Sequence, residues 1–245
     1  NIPLLVWYGI EPVVAADAKA GMMLANASKW DKITGFIYRR MSSDDAGRSA
    51  LLSLAADMPD AAQREKVVSM VTENARQAHK FELPANWESM AGKLGKGTSR
   101  TLALNLTELE SLAGKREATT AFFKMLQNDS EAPAVRQQAL NVVLNAHPPE
   151  MLPGLVTMAM TEAVPVPLRR AIIQGLALYP RNETASGIRM DVALRQILEK
   201  NLSSEERQDA IATLTTWPEG ARTLLTAVNE KKVPAADVTP FVVRQ

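Results

Sequence analysis

Cysteine is absent from this chain of 245 residues, and histidine occurs twice, at His79 and His147. Without thiols the chain can form no disulfide, thiolate zinc site or iron–sulfur cluster, and it cannot attach a c-type haem through Cys-x-x-Cys-His within these residues. The two imidazoles do not supply the three or four converging ligands that zinc or non-haem iron needs, although His147 with Glu150 is a two-ligand fragment. No cofactor is therefore expected in this chain. An excess of one charge is missing as well: 28 Lys and Arg stand against 27 Asp and Glu. A net charge of +1 with no basic stripe forecasts neither nucleic-acid binding nor attraction to an anionic membrane. The longest apolar run, Ile2 to Ile10, falls far short of the roughly 20 residues of a membrane helix, so no insertion is expected. There is no Gly-x-Ser-x-Gly elbow. The stretch Gly92-Lys93-Leu94-Gly95-Lys96-Gly97-Thr98-Ser99 fails as a phosphate loop, because no Ser or Thr directly follows its Gly95-Lys96 and Met90 stands where the first Gly belongs. It reads as an inter-helix turn whose Lys93, Lys96 and Arg100 would hold an anion weakly at most. Sustained alternation of apolar and polar residues is also lacking, which predicts essentially no sheet.

What is present is a recurring helical phrase, an arginine followed by apolar residues three, four and seven positions on. Arg136, Ala139, Leu140 and Val143 state it, and Arg169, Ile172, Ile173 and Leu176 repeat it. Arg207, Ala210, Ile211 and Leu214 follow, while Arg48, Leu51, Leu52 and Ala55 precede. Arg100, Ala103 and Leu104 keep most of it, with Thr107 in the fourth place. The steps from Arg100 to Arg136, Arg169 and Arg207 are 36, 33 and 38 residues, the length of two helices and two turns. Periods of this size mean stacked helical pairs. The spacing predicts an all-α, HEAT-like α-solenoid of about five pairs occupying residues 1–245 as a single unit.

In chain order, residues 2–10 form an apolar and aromatic helix closed by Glu11-Pro12 and buried in a core or against a neighbouring domain. Helices follow over 15–27 and 29–41, so that residues 1–43 read as an N-terminal cap or docking segment, with Leu4, Leu5, Trp7 and Tyr8 as docking residues. Further helices are expected over 44–56, 61–79, a short piece from Pro84 and Trp87 broken by Gly92, Gly95 and Gly97, then 99–113, 116–127, 132–146, 150–163, 165–179, 187–200, 203–216 and 219–230. Asp44, Asp129 and Ser203 are capping residues, Ser203 with Glu206 having capping-box spacing. Pro133 suits a first turn, and Met58-Pro59-Asp60, His147-Pro148-Pro149, Pro180-Arg181-Asn182 and Trp217-Pro218-Glu219-Gly220 are turns.

The paired acids Asp44 with Asp45, Glu108 with Glu110, and Glu205 with Glu206 read as caps and polar faces rather than as acid–base sites. The five arginines, Arg48, Arg100, Arg136, Arg169 and Arg207, read as a ladder along one side of the stack that either pairs with neighbouring carboxylates or faces a partner.

Three stretches carry a family resemblance: Ile2 through Pro12, Phe36-Ile37-Tyr38-Arg39-Arg40, and Ala221 through Val228 running on to Val238-Thr239-Pro240-Phe241-Val242-Val243-Arg244-Gln245. With them the chain resembles the HEAT-like segment of large exported planctomycete and verrucomicrobial proteins described as membrane-bound dehydrogenases or planctomycete-type cytochrome c proteins. In such proteins a propeller resembling quinoprotein sugar dehydrogenases precedes this segment and a c-type haem domain follows it. The resemblance implies a periplasmic or otherwise extracytoplasmic fragment of a longer electron-transfer protein. There it would be a non-catalytic scaffold whose partners are adjacent domains of the same polypeptide or another protein. Neither propeller repeats nor haem-binding cysteines occur here, so no catalytic residue carries over. Two rivals stand beside it: an independent peptide-binding solenoid with a concave face of aromatic and arginine residues, and an enzyme with a deep pocket holding a carboxylate, His79 or His147 at a displaced pKa.

Overall fold

The computed structural model describes residues 2–78, 81–95, 99–179, 187–200 and 202–238. His79, Lys96 with Gly97 and Thr98, the expected turn at 180–182 and the closing stretch 239–245 lie outside them. The described residues are all-helical, with fourteen α-helices and no strand. The chain divides into two compact units, Asn1–Thr120 and Ala121–Gln245.

The first unit carries α1 (Ile2–Ala16), α2 (Ala18–Ala27), α3 (Asp31–Met41), α4 (Asp45–Asp57), α5 (Ala61–Ala75), α6 (Trp87–Leu94) and α7 (Arg100–Leu112). Within it α1 packs on α2 and α3, α2 on α4, α4 on α5 and α6, and α5 on α7. Ile37, Met41, Leu51, Leu52, Val68, Val71 and Leu94 are buried together there. The boundary falls inside α8 (Arg116–Gln127). The second unit continues through α9 (Pro133–Ala146), α10 (Leu152–Met160), α11 (Val166–Gly175), α12 (Met190–Leu198), α13 (Ser204–Leu214) and α14 (Pro218–Asn229). In it α11 packs on α9 and α13, while α12 packs on α10 and α14.

Local chemistry accounts for most helix starts. The Asp44 carboxylate accepts from Gly47 N at 2.8 Å, Asp60 accepts from Ala62 N, and Ser99 accepts from Leu102 N. These side chains satisfy amide groups that the first turn leaves without partners. Ser203 and Glu206 close a full capping box, and Pro133 and Pro218 open α9 and α14.

The structure departs from the sequence pattern at Pro12 and at Gly92. Pro12 does not close the first helix, which runs on to Ala16. A proline removes the donor for the carbonyl four residues back. Here that carbonyl belongs to Tyr8, and both residues are exposed, so water can take the bond. The break comes at Asp17, which caps α2 through Lys19 N at 2.8 Å. Gly92 lies inside α6, which ends at Leu94 with Gly95 as its cap.

Helix corners impose a demand of their own. A Cβ on Gly47 would sit 2.0 Å from the Met41 carbonyl oxygen, and one on Gly220 would sit 2.2 Å from that of Leu214. Each glycine occupies the third position of its helix, six residues after the carbonyl it would strike. Close passage of backbone over backbone requires the missing side chain.

Candidate functional site

The recurring arginines share one place in their helices, with a single exception. Arg48, Arg136, Arg169 and Arg207 each hold the fourth position of their helix, α4, α9, α11 and α13. A helical side chain leans toward the helix N-terminus, so a long stem from this position reaches back over the preceding connection. Arg48 donates to the Ser42 carbonyl at the end of α3 at 3.0 Å. Arg136 donates from Nε to the Leu126 carbonyl at 3.0 Å, and Arg169 donates to the carbonyls of Thr161, Glu162 and Val164 just past α10. Arg207 reaches the Leu202 carbonyl and Asp237. Carbonyls at a helix C-terminus lack in-helix donors and carry the negative end of the dipole, so a buried guanidinium is well placed there. Arg48, Arg136 and Arg169 are buried and present no charge to a partner.

Arg100 stands apart. It is the exposed first residue of α7, and the inward face of that helix is Leu102, Asn105 and Leu109. Its apparent phrase is out of register with the others. Conversely Arg64, with Val67, Val68 and Val71, carries the full phrase on α5, and all four residues are buried. Its guanidinium donates to the Lys93 carbonyl at the end of α6 at 3.3 Å. The signal is present at the same spacing and stands 36 residues before Arg100, on the period, whereas Arg48 stands 52 residues before it.

Ion pairs tie alternate helices together. The Glu206 carboxylate, 0 % exposed, takes Arg169 Nε at 2.5 Å and Nη2 at 3.2 Å while accepting from Ser203 N. Burial alone would raise its pKa, but the bonds from Arg169 and Ser203 outweigh it and hold the carboxyl below its ordinary value. Asp191 behaves alike, burial being outweighed by Arg189 and the Thr223 hydroxyl. Glu108 does not lie on a polar face: it is buried and held by Arg76, the C-terminal cap of α5. Glu110 accepts from the Trp87 indole at 2.8 Å, and Asp45 pairs with Arg48. Each of these acids is engaged by a partner within the fold.

His147 is the left-handed cap of α9, with φ of 47°. Burial lowers its pKa, with a hydrogen bond to the Asn145 backbone opposing. The Tyr179 ring meets it edge-on at 5.8 Å, and burial, aided by Glu150, pushes that phenol up. Among the described residues no three His, Asp or Glu groups could hold a metal ion, and no helix is long and apolar enough to cross a membrane. An open groove of about 290 Å³ runs between α3 and α5, lined by Asp31, Thr34, Gly35 and Tyr38 on one side and Gln63, Lys66 and Val67 on the other.

The four docking residues expected on the first helix split into two pairs. Trp7 and Leu4 are half-buried, Trp7 meeting Phe36 with ring centroids 5.6 Å apart. Leu5 and Tyr8 face solvent, Leu5 at 71 % exposure, together with Ile2, Val6 and Val13. The first helix is therefore not buried; of its residues Val14 alone is. An uncharged helical face of this kind is the strongest mark of an interaction surface on the described chain.

No known protein family, curated protein or solved structure matches this chain.

Proposed function

We propose that the chain is a non-catalytic helical scaffold, a HEAT-like α-solenoid whose outer α1 face is an assembly surface. The observation that carries this is α1 itself, apolar on the side packed against α2 and α3 and equally apolar on the side turned to solvent. The solenoid reading is supported within the second unit by alternate packing, α11 between α9 and α13 and α12 between α10 and α14, and by Arg136 and Arg169, which join their helices to the end of an earlier one. Stacked pairs of this sort hold other domains at fixed separations. The resemblance of the opening, the 36–40 stretch and the ending supports a place in an extracytoplasmic electron-transfer protein, between a dehydrogenase-like propeller and a c-type haem domain. In that setting the chain supplies geometry and its neighbours supply the redox chemistry.

The test uses Leu5→Glu with Tyr8→Glu in the full natural reading frame. After proteolytic cutting between domains, the wild type should remain assembled on size exclusion and the variant should separate, both with unchanged helicity. Equal behaviour of the two, or a reading frame without redox domains, refutes the respective half of the proposal. A second reading, a peptide-binding module, is favoured by the α3–α5 groove with Gly35 open at its wall. It predicts that Gly35→Leu abolishes peptide binding while leaving α1-mediated assembly intact.

A further inference from the structure

We propose that the groove between α3 and α5 takes an extended peptide segment in which a basic residue adjoins an acidic one, the base set against Asp31 and the acid against Lys66. This rests on the peptide-binding reading of the groove and adds the chemistry of the peptide. The groove exists because α3 and α5 both pack on α4. Met58, at the corner where α4 ends, and the buried Val67 supply its apolar lining. Asp31, Thr34, Gly35 and Tyr38 stand at steps of three, four and seven along α3, so one face of that helix makes the first wall. Gln63, Lys66 and Val67, at steps of three and four on α5, make the second.

The two walls carry opposite charges that the fold leaves unused. Elsewhere Lys93 pairs with Asp57, Arg40 with Glu11 and Arg170 with Asp209, each across helices. Among the described residues the side chains of Asp31 and Lys66 have no hydrogen-bond or ion-pair partner, and they do not pair with each other across the gap. Neither has an opposite charge three or four residues away on its own helix. An extended peptide matches this arrangement, because successive side chains point to opposite sides, one to each wall. Its backbone finds partners in the Gln63 amide and the Tyr38 hydroxyl, neither engaged within the fold. Burial raises the Tyr38 pKa, so that hydroxyl stays protonated and donates. A Cβ on Gly35 would meet nothing within 4 Å, which leaves room for a peptide close against α3. At about 290 Å³ the groove is at the small end of ligand sites and covers roughly two or three residues.

The test titrates short alanine-flanked peptides with central Lys-Glu, Glu-Lys, Lys-Lys or Glu-Glu pairs into the chain, with the amide chemical shifts of Thr34, Gly35 and Val67 as reporters. The wild type should bind both mixed-charge peptides about three- to tenfold more tightly than either like-charge one. That preference should shrink as salt rises. Asp31→Lys should turn the preference to Glu-Glu and Lys66→Glu should turn it to Lys-Lys, with circular dichroism unchanged because both side chains are exposed. A reversal of preference is not an outcome that loss of folding produces. Like-charge peptides binding as tightly as mixed ones, with no reversal in either variant, overturns the proposal. If that happens while Gly35→Leu still abolishes binding, the charge pairing falls and the groove reading survives. If no peptide moves the reporters at about 1 mM, both fall.

Discussion

Replacing Arg169 by Met tests whether the arginines of the repeat are structural joints. The substitution keeps an apolar stem in place but strands the Glu206 carboxylate, which has no exposure to solvent, and withdraws the donor from three carbonyls beyond α10. Breaking a buried pair from one side costs about 3–5 kcal/mol, a large share of the about 5–15 kcal/mol that holds a domain folded. With a urea slope near 2 kcal/mol/M, the midpoint should fall by about 2 M. The readouts are urea denaturation by circular dichroism and amide exchange in α11 and α13. Adding Glu206→Leu removes the stranded charge and should recover most of the loss, leaving about 1 kcal/mol for the capping bond to Ser203. The pH dependence has a definite sign. The folded pKa of Glu206 is depressed. Its contribution in the wild type is therefore present above the unfolded carboxylate value of about 4.3 and disappears as pH falls through the folded value. In Arg169→Met, protonation relieves the stranded charge, so the gap to the wild type narrows on acidification. A single-variant loss under about 1 kcal/mol, or a double variant as unstable as the sum of its parts, would refute this account.

Other outcomes follow from the same geometry. Arg136→Met, which loses the bond to the Leu126 carbonyl and the pair with exposed Asp129, should cost about 1.5–3 kcal/mol by chemical denaturation. Gly47→Ala and Gly220→Ala should each destabilise by about 1–3 kcal/mol in thermal melts, because the added methyl strikes a carbonyl. Asp191→Asn should reduce the loss of stability on acidification, since its depressed carboxyl contributes above the unfolded carboxylate value and not below the folded one. Leu5→Glu should change the melting temperature of the isolated chain by little, as the side chain is exposed.

The helix content and most of the caps were legible because they depend on neighbours within four residues: Asp44 before Gly47, Ser203 with Glu206, Pro133 at a helix start. The arginine phrase was legible as a pattern, but its meaning was not. Arg136 and Leu126 meet across a turn, and nothing in the spacing says that a carbonyl waits there. Arg64 keeps both the phrase and the period, 36 residues before Arg100, yet Arg48 stood in its place, while Arg100 keeps the period but lies off the buried face of its helix. Glu108 looked solvated because its partner Arg76 lies 32 residues earlier. Pro12 looked like a stop because the solvent exposure of Tyr8 and Pro12 could not be read from order alone. The α1 stripe was visible as an apolar run, but not that half of it stays outside the fold.

The most direct measurement is amide exchange across residues 2–13, taken on the isolated chain at low concentration and again in the full natural protein. Strong additional protection of α1 in the assembled protein, lost with Leu5→Glu, is the result the scaffold account predicts. Equal exchange of α1 in both settings would contradict it.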